Sequence, residues 1–267
     1  METIEIAGTG LKPSRIGLGT WAIGGWMWGG SGEQDAIDTI HAAIERGITL
    51  IDTAPVYGFG RSEEIVGKAL VDGARRQRVV LATKCGIDWD AEEKPFRNSS
   101  RARIVREVED SLRRLGTDVI DIYQVHWPDL EKPFDEIAGA MRALLEQGKI
   151  RAIGVSNYSP EQMAAFRATA SLHTAQPPYN LFERSIEHDV LPYCRRHDIA
   201  TLTYGALCRG LLSGRMSSET QFQGDDLRRM DPKFRTPRFA QYLTAVDRLD
   251  RFARDRYGKR VIHLALR

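Results

Sequence analysis

The strongest constraint on this chain is an alternation. From Ile16 onward, short apolar runs are followed by longer stretches in which apolar residues recur every three or four positions. Those are the periods of buried strands and amphipathic helices. Ile16–Trp21, Leu50–Ala54, Val79–Lys84, Val119–His126, Ile150–Ser156, Thr174–Tyr179 and Thr201–Leu207 read as strands. Glu33–Arg46, Ser62–Val71, Arg101–Leu115, Phe134–Glu146, a segment beginning at Pro160, and Ser185–Arg196 read as helices. Gly47, Gly116 and Gly148 stand where helices stop, and Ser159 before Pro160 is a start signal.

Strand and helix in turn, at this spacing, give parallel strands joined by right-handed crossovers. Runs such as VVLATK and IRAIGVS are almost wholly apolar, as strands covered on both faces are. A hairpin, Thr3–Ile6 with Lys12–Ile16 about Gly8-Thr9-Gly10, precedes the alternation. Gly17 and Gly19 do not extend into G-x-G-x-x-G, because Thr20, Trp21 and Ala22 follow, so a dinucleotide-binding doubly wound sheet has no support from a motif. Periodicity alone leaves open whether the sheet closes. Two segments break the pattern: the glycine- and tryptophan-rich Gly24–Gly32, and the polar, basic Cys208–Gln241.

The 267 residues, 42% hydrophobic, suffice for a barrel as a single domain. With 38 basic and 36 acidic residues the formal charge is +2, which offers no basic field for nucleic acid. No apolar run reaches the ~18 residues of a membrane span, and the N-terminus has no secretory pattern. Cys85, Cys194 and Cys208 are scattered, with no spacing that binds a metal. A cytoplasmic protein with buried thiols is the expectation. Oligomeric state is left open.

Chemistry gathers at the strand ends. Asp52 closes the second strand, with Tyr57 in the loop beyond it; Lys84 closes the third and His126 the fourth. In a (β/α) barrel these ends share one face, where active sites lie. A phenol with an ordinary pKa near ~10 becomes a better proton donor beside a buried ammonium, and a carboxylate keeps that ammonium charged. An imidazole orients a carbonyl oxygen by hydrogen bonding. Singly, Asp52 also reads as a helix cap or solvated residue, Tyr57 and Lys84 as ordinary loop and strand-end residues, and His126 as a core histidine. Only their convergence sets them apart.

The stretches IDTAPVYG, ATK and VHW resemble the catalytic tetrad of the aldo-keto reductase superfamily, and the likeness runs from Ile16 to the end of the chain. It implies a (β/α)8 barrel with an N-terminal hairpin, in which Tyr57 is the general acid/base, Lys84 and Asp52 tune it, and His126 orients substrate. It also implies that GVSN holds the nicotinamide carboxamide through Ser156 and Asn157, that Gln176 assists, and that Tyr204 stacks on the nicotinamide ring. GALCRGLLSG is similar to the family's pyrophosphate loop, which implies contacts from Gly205, Leu207, Arg209, Gly210 and Leu212. Gly19, Thr20, Trp21 and Asp52 would complete the cofactor site. Trp21, Trp26, Trp28, Tyr57, His126 and Trp127 would contact substrate.

The resemblance implies NADP as cofactor, with NAD open, and an aldehyde, ketone or aldose exchanged with its alcohol or oxidised product. The alternative is a cofactor-binding regulatory subunit of the same fold with little turnover. Seven strands are legible where such a barrel has eight, and the family's 2′-phosphate segment after a helix like VIHLALR is not seen. The expectation is therefore one barrel domain over 1–267, incomplete at its C-terminus. Trp26 and Trp28 read as a substrate wall or as a packing plug, and Arg228–Arg238 as a solvated loop or a lid over cofactor phosphates.

Overall fold

The computed structural model describes residues 1–30 and 32–267. Seven parallel strands form one curled sheet in the order β1 (Gly17–Gly19), β2 (Leu50–Asp52), β3 (Val80–Cys85), β6 (Ile120–Val125), β7 (Ile150–Ser156), β8 (Thr174–Gln176) and β9 (Ala200–Thr201). After β3 the chain makes a separate antiparallel hairpin, β4 (Ile87–Trp89) and β5 (Pro95–Arg97). The helices are α1 (Glu33–Glu45), α2 (Arg61–Val71), α3 (Arg101–Leu115), α4 (Phe134–Glu146), α5 (Pro160–Arg167), α6 (Val190–Arg196), α7 (Arg238–Tyr257) and α8 (Val261–Ala265).

The seven strands are the seven expected, and spatial order equals chain order, as an unbroken run of right-handed crossovers requires. Helix limits agree best where capping is strongest. The Ser100 side chain accepts from Arg103 N before α3, and Gly116 ends that helix at φ +61°. Ser159 and Gln162 form a capping box with Pro160 in the first turn of α5.

Three expectations are revised. Ser185–Arg196 is not one helix: a 3₁₀ turn at Ser185–Glu187 precedes α6, which restarts at Val190. Pro192 is the reason, because it lacks the N–H a continuous helix needs there but is tolerated in a first turn. The ladder of β9 stops at Thr201, with one further bridge from Tyr204 to Pro178, since Pro177 and Pro178 remove two donors from the neighbouring strand. Finally, 208–241 is not structureless: it carries 3₁₀ turns at Leu211–Ser213, Leu227–Arg229 and Pro232–Phe234, and α7 begins within it.

Period-two alternation sorts the strand side chains. Ile51, Leu81, Tyr123, Val125, Ile153 and Val155 point outward into the main core under the helices. Leu50, Ala82, Ile122, Ala152, Ala200 and Leu202 point inward, and the hairpin residues Ile6 and Leu11 plug them from below. Ile6 N donates to Leu11 O at 3.0 Å, and Ser14 Oγ accepts from the Thr49 and Leu50 N–H groups, which fastens the hairpin across the amino end of the sheet. Further up the same inward face the residues become polar: Asp52, Lys84, Gln124, Gln176. The apolar floor thus forces the charged groups to the carboxyl end.

Candidate active site

Lys84 is fully buried on the last turn of β3's inward face, level with Gln124 and Gly154. Gly154 is required there, because a Cβ would lie 2.7 Å from Gln124 Cγ and collide with Thr174 Oγ1. An ammonium has three protons to place, and all three are placed. Nζ donates to Asp52 Oδ2 at 2.7 Å, to the Thr53 carbonyl at 2.9 Å and to Tyr57 Oη at 3.2 Å. The other Asp52 oxygen, Oδ1, accepts from Gln124 Nε2 at 3.2 Å and from Gln176 Nε2 at 3.0 Å.

Tyr57 is brought over this group by a close backbone approach. Gly24 and Gly58 touch so tightly that a Cβ on either would overlap the other's loop, and Gly58 has φ +67°. The Tyr57 ring is stacked on Trp21, with centroids 5.9 Å apart and planes at 20°, and meets the His126 ring edge-on at 5.7 Å. Trp28 stands edge-on to Trp21 at 5.5 Å. The expected tetrad and two of the expected tryptophans are therefore adjacent. Trp26 lies farther out against Phe59, and Trp127, more than a third exposed, sits at the rim under Arg97.

The electrostatics differ from the simple expectation. Burial raises the phenol of Tyr57 above its ordinary value of 10.0; Lys84 pulls it down by charge and hydrogen bond without cancelling this, and Asp52 pushes it up. Burial works against the Lys84 charge, yet Asp52 and Tyr57 outweigh it and hold that ammonium above its ordinary 10.5. His126 is lowered well below 6.5, first by burial and then by the Lys84 charge, so its imidazole is neutral.

Beside the tetrad, Ser156 Oγ donates to Gln176 O at 2.9 Å, and Asn157, at φ +63°, donates through Nδ2 to His126 O at 3.1 Å. Asn157 Oδ1 accepts from the Tyr204 hydroxyl at 2.9 Å, which leaves that ring 37% exposed at the carboxyl end of the sheet. A flat aromatic face held open next to amide and hydroxyl groups fits a nicotinamide ring. The loop beyond it, Gly205–Gly210, has positive φ at Gly205, Cys208, Arg209 and Gly210. Leu212 is fully buried against the α7–α8 cluster, with Leu207 partly buried beside it, so these two leucines anchor the loop by their side chains. The Arg209 guanidinium is paired with Asp231. Gly19 and Thr20 lie at the end of β1; Thr20, fully buried, donates through Oγ1 to Asp52 O at 3.0 Å.

Reading the sequence missed several participants. Gln124 lies two residues before His126, hence on the same strand face, and that spacing was the available signal. Thr53 acts through its backbone, which no side chain reports. Asp225 accepts from Met27 N at 2.7 Å and Gly29 N at 3.2 Å, and Leu227 N donates to Met27 O at 3.0 Å, so the two irregular loops clasp each other. The Arg228 guanidinium lies 5.1 Å from the Trp28 ring and is held by Asp226. Among the described residues no helix is long and apolar enough to cross a membrane, and no group of three His, Cys, Asp or Glu could hold a metal.

This arrangement agrees with what the chain is similar to. The aldo/keto reductase family profile matches residues 15–267. Aldo-keto reductase YhdN of Bacillus subtilis is 62% identical over 267 residues, covering all of this chain and 80% of that protein. The NADH-specific methylglyoxal reductase of Escherichia coli is 41% identical over 233 residues, 82% of this chain and 71% of that one. Among solved structures, the glycerol dehydrogenase AKR11B4 from Gluconobacter oxydans superposes with TM-score 0.91 at 55% identity, covering 99% of this chain and 81% of that one. An aldo/keto reductase from Klebsiella pneumoniae in complex with NADP and acetate gives TM-score 0.73 at 32% identity, covering 98% and 79%. With a profile match over residues 15–267 and relatives named as reductases and dehydrogenases, the chain belongs to the aldo/keto reductase family of oxidoreductases.

Proposed function

We propose that this protein interconverts an aldehyde, ketone or aldose with its alcohol or oxidised product, using a nicotinamide cofactor and Tyr57 as general acid/base. The observation that carries the proposal is the buried chain from Asp52 through Lys84 to the Tyr57 hydroxyl, in which every ammonium proton is committed. When bound, a nicotinamide nucleotide supplies or accepts hydride; the rest is the work of this chain's side chains.

Tyr57 donates its proton to the carbonyl oxygen in reduction. A phenol raised above 10.0 stays loaded at neutral pH, and Lys84 stabilises the phenolate left behind. Asp52 keeps Lys84 charged in a desolvated site, and Gln124 and Gln176 satisfy the carboxylate oxygen that Lys84 does not use. His126, neutral, orients the carbonyl oxygen as a hydrogen-bonding partner and does not compete as a cationic acid. Trp21, Trp28 and, at the edge, Trp26 and Trp127 exclude water and contact substrate.

Tyr204, Ser156, Asn157 and Gln176 would hold the nicotinamide, and the backbone of Gly205–Gly210 the pyrophosphate. NADP is proposed over NAD on the family likeness. Fluorescence titration with NADPH and NADH, followed by NADPH oxidation on an aldehyde panel, tests the reading. Selective NADPH binding with aldehyde-dependent oxidation supports it; binding of neither nucleotide counts against it.

A further inference from the structure

The β4–β5 hairpin is tied to the barrel by a buried ionic chain. Gly86, between Cys85 and the hairpin, donates its N–H to Glu107 Oε2 at 2.9 Å. Glu107, 1% exposed on α3, accepts from Arg103 Nη2 at 3.1 Å through its other oxygen. Arg103 Nη1 reaches Asp88 Oδ1 at 2.8 Å, and that carboxylate also accepts from Trp89 N at 3.0 Å. The guanidinium lies 5.6 Å from the Trp89 ring centroid.

Trp89 in turn meets Phe59 edge-on at 5.6 Å, and Phe59 meets Trp26 at 5.0 Å. Trp26 follows β1, Phe59 follows β2 and Trp89 ends β4, and each residue is only half-buried. Phe59, two residues past Tyr57, has φ +54°, a conformation that a bulky residue keeps only where its neighbours impose it. Backbone bonds from Phe59 N to Val56 O and from Gly60 N to Pro55 O hold this turn, and the ring it presents packs against the other two.

We propose that Arg103 and Glu107 are positioning residues that set the Trp89–Phe59–Trp26 wall at the outer edge of the Tyr57 site, and that this wall selects carbonyl substrates bearing an aromatic ring. The proposal rests on the reading of Tyr57 as proton donor. Ionised Glu107 holds both the hairpin's first N–H and Arg103; neutral Glu107 releases the charge on Arg103 and the wall loosens. Burial pushes this carboxyl up to about 7, with Arg103 and the Gly86 N–H opposing it and Glu63 of α2 adding to it. The other charged groups here are Asp88, shared through Arg103 and 3.8 Å from Arg106, and Arg114, which is bound to Glu63; the buried Cys85 and Tyr123 also face Glu107.

Initial rates of NADPH oxidation with benzaldehyde and with propanal, at pH 6, 7 and 8, test this. The ratio of kcat/KM values cancels pH effects common to both substrates. In the wild type, the benzaldehyde-to-propanal ratio is expected to rise about fivefold from pH 6 to 8. In Glu107→Gln the ratio is expected to be low and flat, with kcat for propanal within about twofold of wild type. Trp89→Leu, which leaves the buried ions in place, should give the same low, flat ratio. A wild-type ratio that does not change with pH overturns the proposal without need of any variant, as does a pH-dependent ratio that survives in Glu107→Gln or Trp89→Leu. Absence of propanal turnover in the wild type would instead overturn the Tyr57 reading on which this one stands.

Discussion

Lys84 Nζ lies 2.7 Å from Asp52 Oδ2 in a site where the lysine side chain is 1% and the aspartate side chain 16% exposed. A pair so desolvated is held by mutual need, since either charge alone would be stranded. With a second proton on the Thr53 carbonyl, the same contact aims the third at Tyr57, so stability and chemistry share one interaction.

Breaking that pair from one side should therefore be worse for the fold than removing both charges. Asp52→Asn is expected to lose about 3–5 kcal/mol, read by urea unfolding, and Asp52→Asn with Lys84→Met to regain part of it. Neither variant should recover turnover. A double variant no more stable than the single one would show that the lysine is not stranded.

The raised phenol sets the pH behaviour of the reaction. Reduction needs protonated Tyr57, whose phenol is held above its ordinary 10.0, so kcat/KM for reduction of propanal, which has no aromatic ring to meet the Trp89–Phe59–Trp26 wall, should stay level up to that point and fall beyond it. Oxidation needs the phenolate and should rise over the same interval. A reduction rate that falls between pH 7 and 9 would mean another group titrates.

Glu107 gives stability a pH dependence of defined sign. Its folded pKa, about 7, exceeds the ordinary value of 4.5. Its contribution is fully present below 4.5 and is lost as pH rises through 7. Urea midpoints of wild type should therefore fall relative to Glu107→Gln between pH 5 and 7. Parallel curves would contradict the assignment.

Arg228–Arg238, expected as either a solvated loop or a lid, follows directly on Asp225 and Leu227, which with Arg228 clasp the tryptophan loop. If it closes over the cofactor, Asp225→Ala, which removes both carboxylate–amide hydrogen bonds of the clasp, should speed NADPH dissociation at least several-fold in stopped-flow fluorescence. An unchanged off-rate would leave it as a packing contact.

Much of this was legible in sequence because it follows from period and punctuation. Both limits of α3 and α4 coincide with the reading, since Arg101–Leu115 and Phe134–Glu146 combine 3.6-residue periodicity with clear stops. The strand-end positions of Asp52, Lys84 and His126 follow from strand length alone. What was not legible depends on tertiary contact. Phe59 and Trp89 join Trp26 across three loops with no shared pattern. Arg209 finds Asp231 rather than open solvent, and Gln176 spends its amide on Asp52. The raised Tyr57 phenol reflects burial, which a motif does not quantify. Pro192 and the Pro177-Pro178 pair are local breaks that helical and strand periodicity do not register.

The most direct test of the central claim is turnover of Tyr57→Phe with NADPH and propanal, alongside nucleotide affinity from fluorescence quenching. Turnover should drop by roughly 10²–10⁴ while nucleotide affinity stays within about twofold. Turnover within tenfold of wild type, with NADPH still bound, would contradict it and place the proton donor elsewhere.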